Sequence, residues 1–205
     1  MLYKRKQSAV AIFRAALYNS VMTQEDRQRI NALIVHISQG DVYALDALSR
    51  LVSGRMFSVA LSFVKNRSLA EDVVQDSFVN VMQNAAQFSP NTNGYAWICK
   101  IVQNTALNAL RKEKRFKAEN IDDFFDLSDS FDLAEQSAAT VTLQRAMSVL
   151  NSLEKLLIYQ KYFMDFTVRD IAKSVGKPKS TVQRTLNVAE NKMRIYLESR
   201  KNNET

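Results

Sequence analysis

The chain has 205 residues, 46% of them hydrophobic, and 28 Lys+Arg against 21 Asp+Glu give it a formal net charge of +7. That length allows one or two compact cores and excludes a long multidomain array. With 4 Gly and 2 Pro the turn residues of an all-β fold are missing, and stretches rich in Ala, Leu, Gln, Arg and Met predict helix. No window holds eighteen consecutive apolar residues, so no membrane span is expected. The single Cys99 cannot close an internal disulfide, which fits a reducing cytoplasm, and beside Trp97 and Ile98 it reads as a buried thiol. Enzyme chemistry is excluded by a lack of parts. His36 is the only histidine, neither it nor Cys99 has partners at a catalytic or metal-ligand spacing, and no Gly-rich phosphate loop occurs. No cofactor and no metal is expected.

Residues 1–22 read as an N-terminal extension. Lys4, Arg5 and Lys6 precede an apolar run from Ala9 to Leu17, a superficial leader pattern that Arg14 interrupts and no small-residue cleavage site follows. Met22 reads as a more ordinary start. The first helical body is expected over 23–117. Asp41 caps a helix bearing Ala44, Leu45, Leu48, Leu51 and Val52, and the pattern runs on through Met56, Val59, Ala60 and Phe63. After Asn66 and Arg67, Ser68 and Glu71 have capping-box spacing for the next helix. That helix is expected to place Val74, Phe78, Val81 and Met82 on one face and Asp72, Asp76, Asn80 and Gln83 on another.

Phe88 to Gly94 is a loop by its turn chemistry. A last helix from about Tyr95 carries Ile98, Ile101, Val102, Leu107 and Leu110 and ends in a basic cluster of Arg111, Lys112, Lys114, Arg115 and Lys117. Taken alone, that cluster fits a phosphate backbone and a solvated helix face equally well. Residues 118–136 form an acidic linker (Glu119, Asp122, Asp123, Asp126, Asp129, Asp132, Glu135) that also holds Ile121, Phe124, Phe125, Leu127, Phe131 and Leu133. Those apolar residues imply docking, on the chain itself or on a partner.

The second body, 137–205, contains the sharpest motif, a helix-turn-helix from Thr167 to Val182. Ala172 stands at a close helix approach, Gly176 at the turn, and Val182 plugs the second helix into the first, with Ile171 and Val175 completing the seam. Thr167, and Ser180 or Thr181, are the expected N-caps. The second helix then presents Lys179, Ser180, Thr181, Gln183, Arg184 and Asn187, types that pair with base edges in a major groove. An ordinary helical hairpin is the plain alternative.

The run Leu69-Ala70-Glu71-Asp72-Val73-Val74-Gln75-Asp76-Ser77-Phe78, followed by Trp97-Ile98, Asn104 and Leu110-Arg111-Lys112 and then by the helix-turn-helix, resembles the extracytoplasmic-function sigma factors of the sigma-70 family. The resemblance implies an all-α protein of two helical domains joined by the acidic linker. It also implies a role in promoter-specific transcription initiation with core RNA polymerase, through the β′ clamp helices and the β subunit, in the cytoplasm and under an anti-sigma partner. Asp72, Gln75, Asp76 and Phe78 would bind polymerase. Phe88, Asn91, Asn93 and Tyr95 would capture an unstacked base of the minus-ten element, and Asn104, Arg111, Lys112, Lys114 and Arg115 would hold the opening duplex. Lys179, Ser180, Thr181, Gln183, Arg184 and Asn187 would read the minus-thirty-five element. Leu150-Asn151-Ser152 departs from the family's Leu-Pro pair. Thr185, Val188 and Glu190 stand where arginines are usual, leaving Arg184 and Lys192 as the nearby cations. A stand-alone helix-turn-helix regulator that binds operator DNA without polymerase is the competing reading, and it leaves the Ala70–Phe78 run unused.

Overall fold

The computed structural model describes residues 22–114 and 138–203. These fall into two compact units, and among the described residues there are helices and turns but no strand. The all-α expectation holds. The N-terminal extension up to residue 21, Arg115 and the acidic linker 118–136 lie outside the described residues.

The first unit contains α1 (Gln24–Ser38), α2 (Val42–Val64), α3 (Arg67–Asn84), a 3₁₀ turn (Ala85–Gln87) and α4 (Gly94–Lys114). Each start is fixed by a short polar side chain that satisfies an orphan N–H. Thr23 and Asp26 form a capping box on α1, and Asp41 accepts from the N–H groups of Tyr43 and Ala44 at 2.9 and 3.2 Å. For α3 the cap is Asn66, accepting from Leu69 N–H at 3.0 Å, rather than Ser68. Lys65, left-handed at φ 52°, ends α2 and puts Asn66 in extended backbone, so Asn66 reaches the first free donor before Ser68 does. Glu71 instead pairs with Arg67 at 3.3 Å.

The core of this unit joins Ile30, Ile34, Leu48, Val52, Met56, Val59, Ala70, Val73, Val81, Ile98, Val102 and Ala106, all essentially inaccessible. Cys99 is buried among them. By length and composition α2 is apolar enough to cross a membrane. Here α1, α3 and α4 pack against it and cover its Leu48–Val52–Met56–Val59 stripe. At the start of α4, Gly94 permits close approach to α1. A Cβ there would stand 2.5 Å from Asn31 Oδ1 and 2.8 Å from Ile34 Cδ1.

The second unit contains α5 (Ala138–Met147), α6 (Ser152–Tyr162), α7 (Val168–Val175) and α8 (Lys179–Asn203), with α8 touching the other three. Thr167 caps α7 in a box with Asp170. Gly176 ends it at φ 63°, a left-handed conformation that costs glycine little, and both its own N–H and that of Lys177 turn back onto the Ala172 carbonyl. Ile171 and Val182 are fully buried across the turn. The chain enters α8 at Lys179, where the Pro178 carbonyl accepts from Val182 N–H at 3.1 Å, so neither Ser180 nor Thr181 is the cap. A proline fixes φ near the helical value and lets the helix begin directly after it.

Three polar contacts tie α6 to its neighbours. Gln160 donates to Ser174 Oγ at 2.8 Å, and Tyr162 Oη meets Glu190 at 2.9 Å. Asn151, standing in place of a proline, forms a capping box with Glu154. The buried Glu154 carboxylate also accepts two bonds from Lys192 Nζ, at 2.7 and 2.9 Å.

Two substitutions test this packing. Lys192→Met strands the Glu154 carboxylate; because the lysine is partly solvated, the expected loss is about 2 kcal/mol, below that of a fully buried pair. Thermal unfolding followed by circular dichroism measures it, and an unchanged midpoint would contradict the role given to the pair. Gly94→Ala forces Asn31 or the buried Ile34 aside, with an expected loss of about 1–3 kcal/mol, to be read in a urea titration of the same signal.

Candidate docking and nucleic-acid surfaces

Burial of Ala70, Val73, Ser77 and Val81 fixes the rotation of α3. The opposite face carries Asp72, Gln75 and Asp76, all exposed. Val79 and Met82, 47% and 51% exposed, lie on the same outer face. Met82 was expected inward, but one residue beyond Val81 is a rotation of about 100°, which carries it clear of the buried stripe. Asn80, expected outward, is half-buried and donates to Thr105 Oγ1 at 3.2 Å. Phe78 is half-buried beside the seam. The outer face is thus two carboxylates and an amide with an apolar end. The apolar part was missed because Val79 and Met82 show only as residues out of phase with the core stripe.

The segment joining α3 to α4 corrects two of the predicted base-contacting residues. Phe88 is 7% exposed and packs on Trp97 with ring centroids 5.4 Å apart, and Tyr95 is 2% exposed. Both rings are anchors inside the unit, because large aromatics stabilise chiefly by burial. Asn93 is half-buried and accepts from Ala96 N–H at 3.1 Å, capping α4. Ser89, Pro90, Asn91 and Thr92 stay exposed.

Along α4, Asn104, Arg111 and Lys112 are exposed, and Arg111 donates to Asn108 Oδ1 at 3.0 Å. The side chain of Lys114 lies outside the described residues. Positions 104, 108, 111 and 112 share one helical face, opposite Ile98, Val102 and Ala106. Gly94 and Asn31, absent from the predicted set, meet beneath the loop: Gly94 N–H donates to Asn31 Oδ1 at 2.8 Å.

On α8, Lys179, Ser180, Gln183, Arg184 and Asn187 are exposed and Thr181 is half-buried. Gln183 Nε2 donates to Asn187 Oδ1 at 2.9 Å, one turn along. Lys192, expected as a free cation near this face, is committed to Glu154. Among the described residues no cluster of three or more His, Cys, Asp or Glu is arranged to hold a metal ion.

Comparison with known proteins places this architecture. Residues 48–116 match the sigma-70 region 2 family. Over 135 residues the chain is 29% identical to the ECF RNA polymerase sigma factor RpoE of Cereibacter sphaeroides, covering 63% of this chain and 73% of that protein. Over 160 residues it is 23% identical to the ECF RNA polymerase sigma factor SigM of Mycobacterium tuberculosis, covering 78% and 80%. A match of that length runs into both units. The solved structure of CnrH, in complex with the cytosolic domain of CnrY, superimposes with a TM-score of 0.52 at 19% identity over 83% of this chain and 98% of CnrH, a likeness of fold. The region 2 match over residues 48–116, the sigma-factor relatives and the helix-turn-helix together make this chain similar to the extracytoplasmic-function sigma factors of the sigma-70 family.

Proposed function

We propose that this chain binds core RNA polymerase and directs it to specific promoters, acting in the cytoplasm as an initiation factor and not as an enzyme. The observation that carries this reading is the combination in one chain of a region 2 match over residues 48–116 with a helix-turn-helix that exposes Lys179, Gln183, Arg184 and Asn187. A stand-alone operator-binding regulator accounts for α7 and α8 but gives no role to the first unit.

Within this reading, residues 23–117 form the region 2 domain and residues 137–205 the region 4 domain, joined by the acidic linker. Asp72, Gln75, Asp76 and the edge of Phe78 dock the β′ clamp helices. Two carboxylates one turn apart steer and orient a basic partner, while Val79 and Met82 supply apolar area that charge alone lacks. Asn91 and Asn93, with the loop that bears them, meet the minus-ten strand, and Asn104, Arg111, Lys112, Lys114 and Arg115 hold phosphates of the opening duplex. Phosphate contacts set register without reading sequence, which suits a helix adjoining the melted segment. Lys179, Ser180, Thr181, Gln183, Arg184 and Asn187 read the minus-thirty-five element from a major groove. The β subunit and an anti-sigma partner complete the protein contacts of this reading.

The test is capture of bacterial core polymerase by the tagged protein beside an Asp72→Arg, Asp76→Arg variant. Because both substitutions fall on exposed helix positions, the fold should survive. Apparent affinity for polymerase should drop by about tenfold or more, as expected for reversing charge at an oriented interface. Equal capture by both proteins would remove the docking face from α3. Capture by neither would favour the stand-alone regulator.

A further inference from the structure

Asn31 lies on α1, between Ile30 and Ile34, both fully buried. Its side chain reaches across the unit to the α3–α4 loop, 59 to 63 residues away in sequence, and makes three bonds there. Nδ2 donates to the carbonyls of Pro90 at 3.0 Å and Thr92 at 2.7 Å, and Oδ1 accepts from Gly94 N–H at 2.8 Å. Both amide hydrogens and the carbonyl oxygen are therefore spent on loop backbone. The missing side chain at Gly94 is what lets that backbone come so close. Thr92 closes the turn from within, its N–H and Oγ1 both meeting the Ser89 carbonyl, at 3.0 and 2.7 Å. Phe88 and Tyr95 are the buried posts at either end.

From this geometry we infer that Asn31 is a positioning residue for minus-ten recognition. It holds the 89–93 loop in one conformation, so that Asn91 and the exposed loop backbone meet an extruded base without first having to be ordered. The inference rests on the promoter-binding reading above. Asn31 acts through the loop, because both its amide hydrogens and its carbonyl oxygen are engaged by loop backbone. The physical reason for such a clamp is that extruding a base already costs stacking and pairing energy. A loop that also had to be ordered would add to that cost and blur the difference between one base and another.

The experiment uses holoenzyme assembled from the full chain and bacterial core polymerase, after capture has been measured. The probe is a pool of forked promoter DNA whose single-stranded minus-ten segment is randomised, and bound and free fractions are sequenced. Wild-type holoenzyme should show base preference at the captured position. With Asn31→Ala, polymerase capture should be unchanged. Preference at that one position should flatten by about fivefold or more, within the usual cost of a single mismatched base, while the other positions keep theirs. Asn31→Asp, nearly isosteric, keeps the acceptor for Gly94 N–H but loses both donors. It should flatten the same position, and it carries the test if Asn31→Ala unfolds. Wild-type preference at every position in both variants would overturn the inference. So would a parallel fall at all positions that tracks a lower melting temperature, since that is a purely structural role. A wild-type protein that captures no polymerase fails at the earlier step and overturns the promoter-binding reading along with this one.

Discussion

Helix α4 packs into the hollow between α1, α2 and α3 through Tyr95, Ile98, Cys99, Val102 and Ala106, and this burial orients the basic face of the first unit. Fully burying a large aliphatic side chain is worth roughly 1.5–3 kcal/mol, so rotating the helix by even one residue would give up several such contributions together. With the rotation held, Asn104, Asn108, Arg111 and Lys112 have no choice but to face outward along one line. The same seam seats the beginning of α4 against α1, where Gly94 meets Asn31. The basic face is therefore set by this apolar seam, and the loop ahead of it by the seam together with the Asn31 hydrogen bonds.

How much of this was legible in the sequence depends on the range over which each signal acts. The helix-turn-helix could be read directly because its determinants are local: Thr167 caps, Gly176 takes a left-handed conformation, and Ile171 and Val182 meet across a short turn. Asp41 was readable for the same reason. The α3 cap was placed two residues late because Ser68 and Glu71 have the right spacing, and spacing does not reveal that Lys65 has already turned left-handed. Phe88 and Tyr95 have residue types that suit both stacking on a base and filling a core, and only their tertiary neighbours decide between the two. Asn31 left no periodic trace at all, since its partners lie 59 to 63 residues on.

Along α8, Thr185, Val188 and Glu190 stand where the resemblance leads one to expect arginines, and the packing shows how the cations present are divided. Lys192 is held by Glu154, whose carboxylate also caps α6 through the Asn151 box. Glu190 is engaged by Tyr162, and Val188 stands 46% exposed on the outer side of α8. The middle of α8 thus offers Arg184, with Lys192 tied to Glu154; Arg169 and Lys173 are exposed on α7, and Lys177 and Lys179 stand exposed at the start of α8. That end already carries the positive pole of the helix dipole and unpaired backbone N–H groups, which favour a phosphate. In the proposed reading, the start of α8 is therefore one place where this unit can hold a phosphate.

The amides behind that anchor are not free in the unbound protein. Gln183 donates to Asn187 along the helix, so each side chain already has a partner and a defined rotamer. Meeting a base edge requires that bond to be exchanged for another of similar strength. An exposed hydrogen bond nets only about 0.5–1.5 kcal/mol, so the exchange is close to neutral where the base offers matching groups and unfavourable where it does not. If this helix reads DNA as proposed, its sequence preference would come from the mismatch penalty more than from added affinity.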